Sequence, residues 1–578
     1  MPEISRQQPE SKTPVVRNPG APGGQPVHPL PPDDVHPAGL SRAELLKTLP
    51  TIHPISPVTP PPDWPILVPL PPAHSLAQYQ TPIRNQLSRD TCWAFAAVAA
   101  LEALYVRKAG APKDLDLSEQ FFAMIGRYCG VNTAGENAAP DFLDTTSTLW
   151  GGGGNSGSAA FLRDYCIPLE SAAPYLDKPA QLAVLAALGL PEAMDDTVDP
   201  GSQAEYDRFQ YDERIIPSKA FGQCYYGAGT MHPLPDTTVV SIKRAIAANH
   251  EVIADINNGS RVDSTGRWNY AGPIGGSHTL LVVGYDDNDL DGTFLVKNSY
   301  GGTALTRISY DFFTHSDVYF GGAYIDDPRP LGDGPRLANM WLGRHFQNND
   351  GRDGLISIHR VAKEGSPQRL GDFYDHSGYQ HFVNGYLSDD EGTMYYWIAD
   401  GTGPIDNGAK SGQALTAWVF GTEPDLGAGI SVWNGQDYGV QLDRRDIAFD
   451  PASTFVPSNW VGTWDMDHDG HHGRLSVTAI GTEVNLLGAV HLRTMTASYV
   501  SSDGTLKVTG NLVDDQGHHA QLSIDFPGGA QTFDLFFHTW ATNLFSGWTV
   551  WNNAKFGVMG RRHVNLVAGP PLREPIHR

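Results

Sequence analysis

The last two-fifths of this 578-residue chain repeats itself, and the repeat limits what it can fold into. MWLGRHFQNNDGRDGLISI (340–358) aligns with NWVGTWDMDHDGHHGRLSV (459–477). It pairs Trp341 with Trp460, Gly343 with Gly462, Asp350 with Asp469, Gly351 with Gly470 and Gly354 with Gly473 at an offset of 119. GISVWNGQDYGV (429–440) matches GWTVWNNAKFGV (547–558) at 118, and NGYLSDDEG (384–392) matches TGNLVDDQG (509–517) at 125, so one loop differs in length. Each unit reads as about eight short alternating runs broken by Asp-Gly or Gly-rich turns, the pattern of antiparallel hairpins closing into a barrel or a sandwich. Two units are too few for a solenoid, so we expect two tandem all-β domains, 335–455 and 456–578.

Charge and cysteine usage remove whole function classes. With 40 Lys+Arg against 64 Asp+Glu and a net charge of −24, the chain has no basic surplus to neutralise phosphates. Nucleic acid and anionic membrane surfaces are therefore not expected partners. Only 4 cysteines exclude a disulfide-dense scaffold. No apolar run reaches the length of a transmembrane helix, and MPEISRQQPESKTP lacks the basic-then-apolar order of a secretory signal. The default expectation is a cytoplasmic protein, with export by another route left open.

Proline is concentrated at one end: residues 1–78 hold 20 of the 44 prolines. Such a stretch buries too little apolar surface to offset its chain entropy, and reads as a Pro-rich arm or linker. Within it Ser41, followed by Glu44, carries a capping-box signature for one short helix. Residues 79–334 mix signals. SRDTCWAFAAVAALEALYVRKAG predicts an apolar helix ending at Gly110, and LDLSEQFFAMIGRYCG a second. A Gly-rich loop over 150–157 leads into SAAFLRDY. VVSIKRAIAANH is a helix followed by the strand EVIADIN, and SHTLLVVGYDD and GTFLVKNSY are two strands joined by a polar turn. Helices first and strands later point to an α+β domain.

The chemistry is carried by Arg84-Asn85-Gln86-Leu-Ser-Arg-Asp-Thr-Cys92-Trp93-Ala94-Phe95, Gly276-Ser277-His278-Thr279 and Val296-Lys297-Asn298-Ser299-Tyr300-Gly301. One Cys, one His and one Asn in that order can supply a nucleophile, a base and an orienting group. Cys92 stands where the long helix begins, and helix N-terminal amides stabilise a thiolate there. His278 can take the proton and return it to a leaving amine. Asn298 can hold the imidazole, and Gln86 can donate to a developing oxyanion together with the Cys92 amide.

These strings resemble the papain-like cysteine peptidase family. NQ-x5-CWAF, LSEQ (117–120), GGGGN before a helix, SH-x-LLVVGY and VKNSYGG occur in family order over residues 79–327. The resemblance implies a papain-like α+β fold, with a helical half carrying Cys92 and Gln86, a β-barrel half carrying His278 and Asn298, and a cleft between them. It implies peptide-bond hydrolysis through a thioester acyl-enzyme, a peptide or protein substrate and no cofactor. The substrate-side residues it implies are Trp93 beside the nucleophile, Gly153 and Gly154 pairing with an extended peptide, Ser277, and Tyr300 in place of the Trp that covers the Asn–His pair.

Three departures stand out. The usual first Cys of C-G-S-C-W is absent here, so its disulfide cannot form. Cys92 and His278 are 186 residues apart, longer than usual, with the excess expected as a surface insertion around 177–235. No long helical pro-region precedes residue 79. Cys129, Cys166 and Cys224 are expected to be thiols or to form at most one bridge.

Apart from these motifs, Asp287-Asn-Asp289-Leu-Asp291-Gly292 and Asp465-Met-Asp467-His-Asp469-Gly470 fit the first half of a calcium loop. Both lack the twelfth-position Glu and read better as solvated turns. His471-His472 and His518-His519 lack metal-ligand spacing. Paired tryptophans such as Trp433 and Trp551 are expected in barrel cores, while other exposed Trp and Tyr could present a carbohydrate- or protein-binding face. Two alternatives to a peptidase stay open: a binding protein on a degenerate papain-like scaffold, and an acyl transferase using the same Cys, His and Asn.

Overall fold

The computed structural model describes residues 69–87, 91–128, 155–176, 215–257, 260–270, 277–314, 319–349, 353–361, 368–375, 380–399, 412–421, 423–433, 436–444, 455–468, 471–482, 484–486, 490–514, 516–539 and 541–563, with the single positions 180 and 183. The proline-rich stretch up to residue 68, Cys129, Gly153 and Gly154 lie outside the described residues, as do most of the expected insertion and residues 469–470 of the second Asp-rich turn. The chain divides into two compact units, meeting between Gly343 and Arg344.

The first unit holds a helical part and a β part. Its central helix α1 (Cys92–Lys108) is buried on every side from Cys92 to Tyr105, so it runs through the interior rather than along a surface. It ends where Gly110 takes φ +68°, a conformation glycine adopts without strain. Against it pack α2 (Glu119–Tyr128) and α3 (Asn155–Asp164), and the unit also holds the short α4 (Ser218–Phe221), α5 (Val239–Ala247) and the short α6 (Ala338–Trp341). α5 starts at Thr238, whose side chain accepts from the Ser241 amide, a standard N-cap.

The β half is one sheet built from β1 (Ala73–Ser75), β2 (Ala228–Pro233), β3 (Val252–Asn257), β4 (Ser260–Val262), β5 (Arg267–Tyr270), β6 (Ser277–Asp286), β7 (Thr293–Lys297), β8 (Thr306–Ser309) and β9 (Tyr319–Pro328). Its order is β2-β9-β3-β6-β7-β8-β5-β4, with β1 also on β6 and only β5–β8 parallel. Its core packs Leu76, Ile242, Val252, Leu280, Val282, Phe294 and Phe312 between sheet and α5.

Three expected boundaries move. Residues 73–78 belong to the domain and not to the arm: β1 pairs with β6 and the Leu76 amide donates to Val283. Residues 215–233 are not a surface insertion, since Phe221 and Cys224 are buried and β2 pairs with β9. The stretch 335–342 serves the first unit, where the Asn339 side chain accepts from the Cys166 amide and donates to the Cys166 carbonyl.

The second unit holds the two repeats, each an antiparallel meander closed into an eight-stranded barrel rather than a sandwich. The first runs β10 (Gly343–Asn348), β11 (Gly354–Ile358), β12 (Gln368–Asp375), β13 (Gln380–Leu387), β14 (Thr393–Ala399), β15 (Gly412–Val419), β16 (Leu426–Trp433) and β17 (Gln436–Asp443), closed by β10 on β17. The second runs β18 (Gly462–Asp467), β19 (His472–Ile480), β20 (Val484–Leu486), β21 (Val490–Ser501), β22 (Gly504–Leu512), β23 (His519–Phe526), β24 (Gly529–Phe537), β25 (Leu544–Trp551) and β26 (Ala554–Arg562), with β20 an appendage of β21. Trp460 and Trp464 fill the second barrel with Phe533, Phe537 and Phe545. Trp551, expected there, is only half-buried, and the Trp433 side chain lies outside the described residues.

The two barrels share a dry seam. Phe420, Leu426 and Ala428 of the first meet Met559 of the second. Fully buried His538 joins Asn348 Oδ1 at 2.6 Å through Nδ1 and Ser546 Oγ at 2.6 Å through Nε2, while Gln441 Nε2 donates to the Phe545 carbonyl at 2.9 Å. Asp443 pairs with Arg561. Gly439 has no side chain because any Cβ would meet Ser546 Oγ at 2.4 Å and His538 Nε2 at 2.6 Å.

Candidate active site

Three separate chain segments meet at the start of α1. Cys92 is its first residue, buried, with its Sγ accepting the Thr279 amide at 3.4 Å. His278 precedes Thr279 on β6, in register with Ile256 of β3, so the strand that presents the imidazole also touches the sulfur. Asn298 follows directly on β7. Its Oδ1 accepts the Ser299 amide at 2.9 Å, which identifies that atom as the oxygen, and it lies 2.9 Å from His278 Nε2. An oxygen there can only accept, so Nε2 carries the proton and Nδ1 is the basic nitrogen of the neutral ring. Burial lowers the His278 pKa, and the hydrogen bond to Asn298 opposes that shift.

Tyr300 lies over the imidazole, ring centroids 5.2 Å apart and planes 5° from parallel, and Trp268 of β5 stacks on Tyr300 at 6.4 Å. The chain then reverses through Gly301 and Gly302, both at positive φ. Tyr300 itself remains 47% exposed, so the cover is partial.

Gln86 is tied to the same turn. Its amide donates to the Ser299 carbonyl at 2.8 Å, the Gly301 amide donates to Arg84, and Asn85 bridges Tyr300. Ser299 Oγ donates to Gln86 Oε1 at 2.5 Å, which leaves the Nε2 N–H groups as the donating end of the amide. Tyr175 OH donates to the Gln86 carbonyl at 2.9 Å and lies 2.7 Å from Thr91 Oγ1, linking Gln86 to the residue before Cys92.

Behind Asn298 lies a buried charge cluster. Glu102, mid-way along α1, accepts from Thr81 Oγ1 and from the Leu117 amide, and its Oε2 lies 3.7 Å from Lys297 Nζ. Burial raises the Glu102 pKa and lowers that of Lys297, each shift opposed by the other's charge. Burial holds Glu119 well above the carboxylate range, helped by Glu102 and Glu170.

Of the residues expected from sequence, Gln86, Cys92, His278, Asn298 and Tyr300 are brought to one place. Trp93 is not on a substrate surface: it has no solvent exposure and packs on Phe122 at 5.3 Å, so its part is in the core. Ser277 lies on β6 beside His278, with its side chain outside the described residues. Sequence reasoning missed Ser299, Tyr175, Trp268 and the Glu102–Lys297 pair. Ser299 and Lys297 flank Asn298, which was a usable signal; Tyr175 and Trp268 had none.

Asp287 pairs with Lys243 at 2.7 Å and Asp289 with Arg307. At the barrel seam Glu423, Asp467 and His472 place three donor atoms within 4.8 Å of one another. Both His472 ring nitrogens face carboxylates, Nδ1 at 2.6 Å from Asp467 and Nε2 at 3.3 Å from Glu423.

Comparison with known proteins gives a family match and a set of structural similarities. A family model described as papain family cysteine protease matches residues 73–126, which include Gln86 and Cys92 but not His278 or Asn298. Among solved structures, this chain is similar to digestive procathepsin L 3 of Tenebrio molitor larval midgut (18% identity, 52% of this chain and 83% of that one, TM-score 0.32). It is also similar to xylellain, a cysteine protease from Xylella fastidiosa (18% identity, 48% and 94%, TM-score 0.31). A third is the Carica candamarcensis cysteine protease CMS1MS2 (19% identity, 44% and 99%, TM-score 0.28). No curated protein matches the chain. The family match thus covers the start of the first unit, and the second unit holds two β-barrels.

Proposed function

We propose that the first unit is a cysteine peptidase that hydrolyses peptide bonds through a thioester acyl-enzyme. The observation that carries this is the joint placement of Cys92 Sγ against the Thr279 amide and of His278 Nε2 against Asn298 Oδ1. Cys92 is the nucleophile. His278 Nδ1 takes the thiol proton as sulfur attacks the scissile carbonyl, then gives it to the departing amine. Water, deprotonated by the same nitrogen, cleaves the thioester to release the acid and restore the thiol. Asn298 holds the imidazole to one tautomer and orientation. Gln86 Nε2 and the Cys92 amide donate to the carbonyl oxygen as it becomes an oxyanion. The substrate is a peptide or protein segment.

The test is hydrolysis of a fluorogenic casein by the full chain beside its Cys92→Ala variant, with an epoxide thiol inhibitor in parallel. We expect stoichiometric labelling at Cys92 and loss of hydrolysis in the variant. Hydrolysis that survives Cys92→Ala would sink the reading.

A further inference from the structure

The first unit contains a cavity of about 590 Å³ that includes none of Gln86, Cys92, His278 or Asn298 in its walls. It lies beside the C-terminal end of α1. That volume is the size of a small-molecule site. Its lining includes three carboxylates, Asp114, Asp116 and Glu170, and the apolar and aromatic side chains of Leu169, Leu331 and Tyr226. Leu169 and Leu331 are 39% and 45% exposed, an unusual outlay of apolar surface beside acids.

The carboxylates are under-compensated. Asp116 pairs with Arg84 at 2.8 Å. Among the described residues no ion pair reaches Asp114 or Glu170. Glu170 Oε1 accepts the Tyr175 amide at 2.5 Å, but Oε2, shut off from solvent, has no hydrogen-bond partner among the described residues. A buried carboxylate oxygen without a partner is costly and gains from an arriving donor. An anion would meet repulsion here, and a neutral apolar molecule would leave Glu170 unsatisfied. A positive group on an apolar body meets all three conditions: charge for Asp114 and Glu170, a donor for Oε2, and a ring face at Tyr226.

Glu170 also sits one step from the candidate active site. The Tyr175 that it holds donates its hydroxyl to the Gln86 carbonyl and lies against Thr91, the residue before Cys92. Burial pushes the Glu170 carboxyl up to about 7, with Asp116 and Glu102 adding to the rise and the Tyr175 amide and Arg84 opposing it. An incoming cation favours the ionised form and strengthens its hold on Tyr175.

We propose that this cavity binds an organic cation, an ammonium or guanidinium on an apolar body, through Glu170 and Asp114, and that its occupancy changes the reactivity of Cys92. The proposal requires a reactive thiol at residue 92 but not peptide hydrolysis, so it can fail or stand apart from the peptidase reading.

Calorimetry on the full chain carrying Cys92→Ala would titrate benzamidine, its neutral isostere benzamide, and acetyl-Leu-Arg-amide. We expect benzamide to bind at least tenfold more weakly than benzamidine, and Asp114→Asn and Glu170→Gln each to weaken benzamidine severalfold while still unfolding in a cooperative thermal transition. If Glu170→Gln misfolds, Asp114→Asn, a change at an exposed position, decides alone. Tighter binding of the arginine peptide than of benzamidine would assign the site to a basic segment of a protein; the reverse order would assign it to a free amine. Equal binding of benzamidine and benzamide, or benzamidine binding indifferent to both substitutions, overturns the site. With Cys92 intact, saturating benzamidine should change the rate of iodoacetamide alkylation at Cys92 at least twofold, and not in Glu170→Gln. An unchanged rate overturns the coupling.

Discussion

Glu102 and Lys297 meet in the interior, one from the middle of the central helix and one from the strand end that delivers Asn298, with Thr81 Oγ1 bonded to both. The pair therefore fastens the helix bearing the thiol to the strand bearing its orienting amide. Lys297→Met would leave Glu102 buried without its cation, and we expect a loss of about 3–5 kcal/mol in denaturant unfolding. The double variant Glu102→Leu/Lys297→Met should recover most of it. A single variant as stable as the parent would refute the pairing.

Ser299 fixes which end of the Gln86 amide donates. Ser299→Ala releases that constraint without touching Cys92 or His278. We expect kcat to fall about tenfold, roughly 1.4 kcal/mol of transition-state stabilisation, with KM nearly unchanged. A change confined to KM would remove Gln86 from the oxyanion role.

Tyr300 and Trp268 keep water from one face of His278, and burial is what lowers that pKa. Tyr300→Ala admits water and so should raise the His278 pKa toward the ordinary imidazole value. Proton NMR titration of selectively labelled histidine in the Cys92→Ala background reads this directly. A pKa that stays put or falls would contradict a shielding role.

Glu170 gives a pH dependence with a definite sign. Its folded pKa, about 7, lies above that of an unfolded Glu, so the folded state binds more protons in between. Its contribution to stability is present below the unfolded value and is lost as pH rises through about 7. Glu170→Gln, which keeps the acceptor for Tyr175, should therefore be stabilising at pH 8 relative to pH 5, by about 1–2 kcal/mol after solvent screening. Thermal melts at the two pH values check this, and a pH-independent difference would refute it.

Much of the site was legible because its chemistry lies in local strings. The helix beginning at Cys92, the strand carrying His278 and the Asn298 turn each announce themselves within a few residues. The barrels were legible for a related reason: period-two alternation and Gly turns recur, and the repeat doubles the signal. Trp93 misled because adjacency to a nucleophile in sequence says nothing about facing on a helix, where the next residue points about 100° away. Residues 73–78 read as arm because prolines mask a three-residue strand whose partner, β6, is some 200 positions on. Tyr175 and Glu170 carried no signal, since only the fold brings them beside Gln86.

The glycine at 439 bears on how separable the repeated half is. A barrel standing alone would have no use for a bare backbone facing outward, nor for turning Asn348, Gln441 and Asp443 toward a neighbour. With His538 in that gap, neither copy can be cut away without exposing what the other covers. The duplicated segment is in this sense no longer two portable modules. A chain ending after residue 455 should yield an insoluble product, whereas both barrels expressed together should unfold in one transition.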